Sequence, residues 1–402
     1  MQKKLTRRAF LGAAGIGASV MLAHADDTTQ HSASSESSSG IPDTSIGWQP
    51  ISDRKLRLGL IGFGVCQYAA AFQFEKHPNV EVTAVSDLFP DRREALAKAV
   101  GCAKTYDSFE ELVKDDSVDA VFVGTDAPQH AKHAILALNH GKHVAMSTPA
   151  VWGSLEEADM LYDAVKRTGL KYMLFETSAF QEDCTAMRNI YNAGGFGKVL
   201  YTEGEYYHYM PTPIDSFNGW RIGNPPQWYP SHANAYYVCV TGGSFTELSC
   251  QGVPSAIDYM QPQNNIYKNP FGTEIALCRT NDGGTARIAL SWDTPGPDGI
   301  TVGRLRGTKG SFFGKYEGLL KPEELPDMKR PPLPPTIVPG DDEGTHGYIM
   351  SEFVESILKD RTPLVNIACA LNMNVAGIVA HDSALKDGET LKVPQFAMPL
   401  GT

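Results

Sequence analysis

The fold is decided by the stretch LGLIGFG at residues 58–64, in which a run of apolar residues ends in two glycines. Such a run predicts a buried strand. Gly62 permits a tight turn, and Gly64 lets the backbone approach a pyrophosphate, as in dinucleotide-binding folds. Gln67 stands where that fingerprint has its third glycine. The turn residues that we expect to contact a cofactor are Gly62, Phe63, Gly64 and Val65.

Strands and helices alternate along the chain after this turn. We predict a helix over residues 66–76 and further strands at 80–86, 120–124 and 143–146. Strands dominate the sequence after residue 198. The predicted fold class is α/β: an N-terminal Rossmann doubly wound parallel sheet, followed by an α+β domain with a large open, mostly antiparallel sheet.

A carboxylate stands at the end of the second predicted strand. Asp87 can accept hydrogen bonds from the adenosine ribose hydroxyls. It also repels a 2′-phosphate, so the sequence favours NAD over NADP as cofactor. Arg92 and Arg93 leave NADP open as the less favoured alternative, although they are typical of the solvated face of a helix.

A polar loop follows the strand at 120–124. Loops at the carboxyl end of a central strand face the ligand crevice of such sheets. We therefore expect Thr125, Pro128 and His130 to line the cofactor. The alternative for His130 is a residue at the start of a helix that faces solvent.

The amino-terminal residues have the pattern of an export signal. The sequence TRRAFL at residues 6–11 is a twin-arginine signature, and AHA at 23–25 is a small-x-small cleavage pattern. We therefore expect a periplasmic or otherwise exported protein. The predicted divisions are a signal peptide over 1–25, a flexible linker over 26–53, a dinucleotide-binding Rossmann domain over 54–150 and a substrate and oligomerisation α+β domain over 151–402.

Composition excludes several classes of protein. The 402-residue chain has a formal net charge of −11, which argues against nucleic-acid partners and anionic membrane surfaces. We expect no stable membrane association after signal removal. The seven cysteines form no CxxC pair, so no metal site is predicted, and a single disulfide formed after export stays open.

Four motifs carry a family resemblance. They are GLIGFG at 59–64, AVSD at 84–87, GKHV at 141–144 and HDSALKDGE at 381–389. With them the chain resembles the Gfo/Idh/MocA family of sugar-directed oxidoreductases. The resemblance implies hydride transfer between a nicotinamide cofactor and a small-molecule carbohydrate or polyol. It also implies a homo-oligomer formed through the C-terminal sheet.

Two positions depart from that family. A Glu-Lys-Pro triplet usually follows the GKHV strand, with its lysine near nicotinamide and substrate, whereas this chain has Ser147-Thr148-Pro149. We place Thr148 at the cofactor by the same resemblance. The family also often has an aspartate four residues before a catalytic histidine, whereas Trp228 precedes His232 here. The usual proton-handling partners are thus both replaced.

One branch of the family is closer. The stretch YPSH at 229–232 is similar to the Tyr-Pro-Thr-His stretch of the NAD-dependent α-N-acetylgalactosaminidases, and MLFE at 173–176 is similar as well. In that branch the histidine is implicated in catalysis. Those enzymes oxidise the sugar transiently with bound NAD, eliminate the aglycone, add water and restore the sugar.

His232 is the main catalytic candidate, because a neutral imidazole can accept the proton of a sugar hydroxyl. A helix-capping role is its alternative. Tyr229 and His208 complete the predicted catalytic set. Strand alternation places residues 207 and 209 on one face and 206 and 208 on the other. One of the two pairs is expected to reach the sugar, and the other to be core or interface.

Five further residues are predicted to bind the substrate. An aromatic face can stack on sugar C–H groups, and a guanidinium can bind hydroxyls, although a structural anchor is the alternative for such a loop. Glu176 is expected to be an acid, a polar contact or a core partner. The predicted substrate residues are Glu176, Tyr207, Trp220, Arg221 and His346.

Three functions follow from these residues. The first is an exported NAD(P)-dependent oxidoreductase of a carbohydrate or polyol, with His232 accepting the hydroxyl proton. The second is a redox-assisted glycosidase or lyase with tightly bound NAD. The third is a catalytically silent sugar-binding protein that retains the scaffold.

Overall fold

The fold is seen in a computed structural model that describes residues 47–296 and 300–398. The predicted signal peptide, and the predicted linker up to residue 46, lie outside the described residues. Among the described residues, no helix combines the length and apolar character needed to cross a membrane.

The first sheet has six strands, all parallel, and a crossover connects each strand to the next along the chain. The strands are β1 (Leu56–Ile61), β2 (Val80–Ser86), β3 (Thr105–Tyr106), β4 (Ala120–Val123), β5 (His143–Met146) and β6 (Tyr172–Leu174). The helices of this part of the chain are α1 (Tyr68–Ala71), α2 (Pro90–Val100), α3 (Phe109–Leu112), α4 (His130–Asn139) and α5 (Leu155–Thr168).

The strand order of this sheet is β3-β2-β1-β4-β5-β6. The chain runs outward from β1 to β3 and then returns to β4 on the other side of β1. Parallel sheets bind ligands in the crevice outside the carboxyl ends of their strands, where the order reverses. The crevice between the ends of β1 and β4 is therefore the expected ligand site, and it contains the Gly62 turn.

Two features of this half differ from the predictions. The sheet extends beyond residue 150, where we had placed the end of the first domain, because β6 pairs with β5. The predicted helix over 66–76 is wrong, since α1 has only four residues. Gln67 and Gln73 have left-handed backbones, with φ of 49° and 60°, and these interrupt the helix on both sides of α1.

The second sheet has eight strands in the order β13-β12-β11-β7-β10-β9-β8-β14. Only the pair of β7 and β10 is parallel, so the predicted large, mostly antiparallel sheet is confirmed. The strands are β7 (Val199–Tyr207), β8 (Phe245–Pro254), β9 (Phe271–Thr280), β10 (Thr285–Ser291), β11 (Ile300–Gly307), β12 (Gly310–Phe312), β13 (Tyr316–Gly318) and β14 (Leu391–Lys392). The helices are α6 (Glu182–Asn192), α7 (Ser231–Thr241), α8 (His346–Leu358) and α9 (Ile367–Ala384).

Helix α9 joins the two sheets. It is buried almost all round and contacts α5 and β6 as well as β8. Asn374 accepts hydrogen bonds with its Oδ1 from the backbone amides of Ala150 and Val151, just after β5. Its Nδ2 has no partner among the described residues. The C-terminal helix therefore fixes the segment that follows Thr148.

The outer face of the second sheet is charged. Glu203 contacts both Arg287 and Arg304, and Arg287 also pairs with Glu205. The homo-oligomer that we expect through this sheet stays a prediction.

Candidate functional site

Three connected cavities follow the carboxyl ends of the first sheet. The outer cavity is lined by residues that include Asp87, Phe89, Arg92, Phe109, Phe217 and Asn218. The middle cavity is lined by residues that include Gly64, Val65, Cys66, Thr148, Arg221 and Tyr229. The inner cavity is lined by residues that include Tyr206, His208, His232, Thr301, Asp342 and Glu343. The outer and middle cavities share Gly64 and Arg92, and the middle and inner cavities share Tyr68 and Thr148.

The glycine turn lies where the outer and middle cavities meet. Gly62 has φ +89°, and a Cβ there would lie 2.4 Å from the carbonyl oxygen of Gly124, so both conformation and space require glycine. A Cβ at Gly64 would meet no atom within 4 Å. The open space beside Gly64 is what the backbone of a pyrophosphate cradle needs. Because α1 is only one turn long, the cradle is the turn itself rather than the end of a long helix.

Asp87 is attached to this turn. Its carboxylate oxygens accept hydrogen bonds from the backbone amide of Phe63, at 2.7 Å, and that of Phe89, at 2.9 Å. The side chain lines the outer cavity and is nearly buried. Phe63 itself packs into the core, whereas Val65 is 56% exposed and lines the middle cavity. The glycine turn and the Asp87 carboxylate, both predicted to contact the cofactor, are thus joined by a buried hydrogen bond.

The three residues predicted to line the cofactor in the loop after β4 have different surroundings in the structure. Thr125 lines the outer and middle cavities, and its hydroxyl lies 2.8 Å from Nδ1 of His133. His130 is buried, with Nδ1 2.6 Å from the carbonyl oxygen of Pro149 and Nε2 2.9 Å from that of Thr125. It therefore connects two loops and is not the solvent-facing residue of our alternative. Pro128 lies in a short 3-10 helix and lines none of the three cavities.

Asp126 lines the outer and middle cavities, and the sequence analysis missed it. Burial raises the pKa of its carboxyl to about 6, with opposing effects from Arg92, which lowers it, and Asp87, which raises it. Its position directly after Thr125, in a loop already assigned to the crevice, is the signal that could have found it.

The middle cavity contains Thr148 at the position of the family's lysine. The Thr148 hydroxyl lies 3.0 Å from the hydroxyl of Tyr229, which also donates to the Thr148 carbonyl oxygen at 3.0 Å. Burial raises the pKa of Tyr229, so this phenol stays protonated and can donate but not act as a base at neutral pH. Arg221 lies over the Trp220 ring, with its guanidinium 4.2 Å from the ring centroid. Both line the middle cavity.

The inner cavity contains a histidine–carboxylate pair. His232, at the start of α7, has its Nδ1 2.6 Å from Oε1 of Glu176, which follows β6. Glu176 is fully buried and also accepts from the amide of Ser178, while its Oε2 has no partner among the described residues. Because an ionised carboxylate can only accept, Nδ1 carries the proton and Nε2 is the basic nitrogen.

Opposing effects set the protonation of His232. Burial alone lowers its pKa, but the charge and hydrogen bond of Glu176 raise it, and the net result is a raised pKa. Glu176 thereby supplies the carboxylate that the position of Trp228 lacks. A carboxylate at the end of β6 thus does for His232 what the family's aspartate, four residues before the histidine, would do.

Tyr206, near the end of β7, and His208, directly after it, line the inner cavity, with the Tyr206 hydroxyl 3.1 Å from Nδ1 of His208. The Tyr206 ring also contacts His232, at 4.6 Å between centroids. Tyr207, predicted to bind substrate, lines none of the three cavities. Strand alternation turns it toward the charged outer face with Glu205 and Arg287, so Tyr206 replaces it at the site.

Two carboxylates reach the inner cavity from the loop before α8, and the sequence analysis missed them. Asp342 and Glu343 both have left-handed backbones, with φ of 48° and 57°. His346, predicted to bind substrate, is buried and does not line the cavity; instead its Nε2 contacts Asp342 at 3.1 Å. The glycines that flank this acidic pair, Gly340 and Gly344, are the sequence signal of a sharp turn.

Comparison with known proteins agrees with this geometry. Residues 56–176 match the family model described as the oxidoreductase family with an NAD-binding Rossmann fold. A glycosyl hydrolase family 109 protein of Porphyromonas gingivalis is 29% identical over 177 residues, which are 42% of this chain and 38% of that protein. A family 109 protein of Saccharopolyspora erythraea is 26% identical over 287 residues, 64% of this chain and 62% of that protein. The chain thus spans less than half of the length of the Porphyromonas gingivalis relative and just under two thirds of the Saccharopolyspora erythraea relative.

Solved structures share the architecture. Levoglucosan dehydrogenase in complex with NADH and levoglucosan is 18% identical, with a TM-score of 0.68 and coverage of 85% of this chain and 100% of that chain. The apo scyllo-inositol dehydrogenase of Lactobacillus casei is 16% identical, with a TM-score of 0.66 and coverage of 85% and 99%. The resemblance inferred from the sequence is therefore confirmed: residues 56–176 match the Gfo/Idh/MocA oxidoreductase model with its NAD-binding Rossmann fold, and family 109 glycosyl hydrolases are among the relatives of this chain.

Proposed function

We propose that this protein is an NAD(P)-dependent oxidoreductase that removes hydride from a carbon of a carbohydrate or polyol, with NAD favoured over NADP. The single observation that carries the proposal is the Glu176–His232 pair, which presents a basic nitrogen to the inner cavity next to the glycine-turn cleft. Export by the twin-arginine route remains part of this proposal, on the pattern of residues 6–11 alone.

The residues of the outer and middle cavities fit a dinucleotide. The space beside Gly64 suits a pyrophosphate, and Asp87 keeps acceptor capacity for ribose hydroxyls after its two backbone hydrogen bonds. Arg93 is paired with Asp107 and donates to the carbonyl oxygen of Asp87, so it does not offer a counter-charge to a 2′-phosphate. When bound, the nicotinamide supplies the hydride acceptor.

The chain's own residues handle the proton. Glu176 holds Nδ1–H of His232 and stabilises the imidazolium that forms when Nε2 accepts a proton from a substrate hydroxyl. Tyr229 stays protonated and donates to the Thr148 carbonyl oxygen, so its own oxygen can accept a hydrogen bond from a substrate hydroxyl at the middle cavity. Thr148 orients that phenol and cannot replace the charge of a lysine.

The charge of the inner cavity restricts the substrate. Asp342 and Glu343 line it, and its described lining residues include no lysine or arginine. Anionic sugars such as uronates or sugar phosphates would meet like charges there, which is unfavourable. We therefore propose a neutral or cationic sugar or polyol as the substrate class.

A second candidate is redox-neutral cleavage of a glycoside by the same residues. Its support is the set of curated relatives named as glycosyl hydrolases, together with the loss of the family's lysine at Thr148. In this candidate His232 again accepts the hydroxyl proton at the carbon that is oxidised. The sugar is then reduced back after elimination and water addition, so no net reduced cofactor accumulates.

Product analysis separates the candidates. Purified protein is given neutral free sugars, polyols and aryl glycosides, and both released phenol and reduced cofactor are measured. Net reduced cofactor from free sugars supports the first candidate. Phenol release without net reduced cofactor supports the second. Absence of both over the whole panel, with cofactor bound, overturns both and leaves the silent sugar-binding protein.

Cofactor binding is tested independently of turnover. Cys66 is an exposed thiol that lines the middle cavity, whereas the other cysteines are buried or partly buried. We expect NAD to slow alkylation of Cys66, measured by mass spectrometry. Unchanged alkylation at saturating NAD and NADP would contradict the proposed cofactor site.

A further inference from the structure

The second sheet sends one segment across the cofactor cleft. Residues 215–221, which we call the covering segment, follow β7 and precede α7. The middle cavity is lined by its residues Asp215, Ser216, Phe217, Trp220 and Arg221. Phe217 and Asn218 also line the outer cavity, opposite the strand end that contains Asp87. The segment therefore lies over both cavities that the dinucleotide would occupy.

The covering segment is anchored at one end. Trp220 is 7% exposed, and its ring meets that of Trp152 at 5.1 Å in an edge-to-face contact. Its carbonyl oxygen accepts a hydrogen bond of 2.6 Å from the hydroxyl of Tyr267, which also accepts from the Trp152 indole. Within the segment, the Ser216 hydroxyl accepts from the amide of Arg221. The anchored end fixes where the tip of the segment lies.

The tip of the segment is aromatic. Phe217 is 39% exposed and contacts the ring of Phe89, at 5.7 Å between centroids and 73° between planes. Phe89 follows β2 and is itself 37% exposed, and the guanidinium of Arg92 lies 4.7 Å from its centroid. Two partly exposed phenyl rings, one after β2 and one on the covering segment, thus meet at the outer cavity. Exposed apolar surface of this kind is stabilised when a flat apolar group packs on it.

Arg92 and Arg221 add positive charge to the cavities under the covering segment. Each guanidinium lies against an aromatic ring, and among the described residues neither has a carboxylate within ion-pair distance. Arg92 lines the outer and middle cavities, and Arg221 lines the middle one. Two cations without anionic partners beside the open glycine turn suit a diphosphate. Two carboxylates would also lie near this diphosphate: Asp126 lines both cavities, and Asp215 lines the middle one.

We propose that Phe217 and Phe89 close over the adenine ring of the bound dinucleotide and that this cover slows release of the cofactor. The inference rests on the proposed function, because it takes a dinucleotide as the occupant of the cleft. It deepens that function by assigning a binding residue from the second domain. Slow release of the cofactor suits the second candidate function in particular, because there the bound cofactor is reoxidised within each turnover.

The test is the rate of dinucleotide release. Protein loaded with NADH is mixed with excess NAD, and the loss of NADH fluorescence is followed by stopped flow. Base–aromatic stacking is worth ~1–3 kcal/mol by alanine substitution, so we expect Phe217→Ala to speed release by roughly 10-fold. Phe217→Tyr should keep slow release, because the aromatic face remains.

Control variants test whether slow release depends on Phe217 and Phe89 themselves. Phe313→Ala removes another exposed phenyl ring, 57% exposed and outside all three cavities, and should leave release unchanged. Phe89→Ala combined with Phe217→Ala should be less than additive, because the rings act on one face of the ligand. Equal release rates for the unmodified protein and Phe217→Ala overturn this inference alone. Failure of the unmodified protein to bind NAD(H) overturns the proposed function together with it.

Discussion

Two buried histidine–glutamate pairs in this molecule have nearly the same geometry. Nδ1 of His232 lies 2.6 Å from Oε1 of Glu176, and Nδ1 of His381 lies 2.7 Å from Oε1 of Glu274. Both glutamates are fully buried. The pairs differ in what surrounds the histidine. His232 lines the inner cavity, whereas His381 is enclosed by aromatic rings, with Trp228 at 5.7 Å.

The two pairs differ in whether the histidine reaches a cavity and not in how it binds its glutamate. We therefore distinguish the candidate reaction centre, His232 with Glu176, from the anchor, His381 with Glu274, which stabilises the fold. Glu274 uses its second oxygen to accept the backbone amide of Gln227, at 2.8 Å. That hydrogen bond fixes the turn that leads to Tyr229 and His232. Trp228, which stands where the family has an aspartate, packs against His381 and so belongs to the anchor.

The largest effect is expected when the pair that reaches the inner cavity, His232 with Glu176, is broken. We expect His232→Ala to lower kcat by ~10²–10⁴-fold, because a positioned general base contributes that much. Bound cofactor should change little, but the thermal midpoint should fall, because Glu176 is left buried without its partner, so kcat is compared per folded molecule. His140→Ala removes an exposed histidine and serves as the matched control. Turnover by His232→Ala equal to that of the control would remove His232 from the reaction.

Breaking the enclosed pair, His381 and Glu274, should affect stability without removing a group that reaches the inner cavity. His381→Ala leaves Glu274 buried without its partner, so we expect the free energy of unfolding to fall by about 3–5 kcal/mol. Denaturant titration measures this change, and kcat per folded molecule should fall less than in His232→Ala. A fully stable His381→Ala protein would show that the pair is not an anchor.

The pH profile sharpens the comparison at the accessible pair. Glu176 raises the pKa of His232 against burial, which lowers it, so the base should lose its proton only above the ordinary value of about 6.5. Glu176→Gln removes the charge and retains the burial. We expect its acid limb of kcat/KM to move to lower pH, with kcat reduced by roughly 10-fold through loss of imidazolium stabilisation. Glu182→Gln, at an exposed carboxylate, should keep the original profile.

The smallest expected effect lies at the edge of the inner cavity. Asp342→Asn removes one of its two carboxylates, so KM for a sugar bearing an ammonium group should rise by roughly 3-fold, about the value of an exposed charge pair. KM for the corresponding neutral sugar should stay nearly unchanged. An equal rise for both substrates would mean that Asp342 acts through His346 and the shape of the loop rather than through its charge.

Local pattern was enough to predict the framework. The apolar run before Gly62 and the strand–helix alternation after it gave the parallel sheet and the position of Asp87 at a strand end. The extent of α1 could not be predicted in this way. Gln67 and Gln73 adopt left-handed backbones that their side chains do not favour, so the surrounding fold imposes them.

The site was predictable residue by residue but not as an arrangement. His232 and Glu176 were both singled out, yet their pairing joins the end of β6 to the start of α7 and depends on tertiary packing. Asp342 and Glu343 were missed because a Pro-rich loop gives no periodicity from which a direction can be read. Alternation placed Tyr206 and His208 on one face, and only the fold shows that this face is the inner one.

The hydrogen bonds from Ala150 and Val151 to Asn374 also impose an order on biosynthesis. The ribosome completes β1 to β5 more than two hundred residues before α9, so the parallel strands can assemble while translation continues. The acceptor for those two amides exists only once α9 has been made. We expect a message truncated ahead of Ile367 to yield a nascent chain whose first sheet forms and whose Thr148 segment stays unfastened.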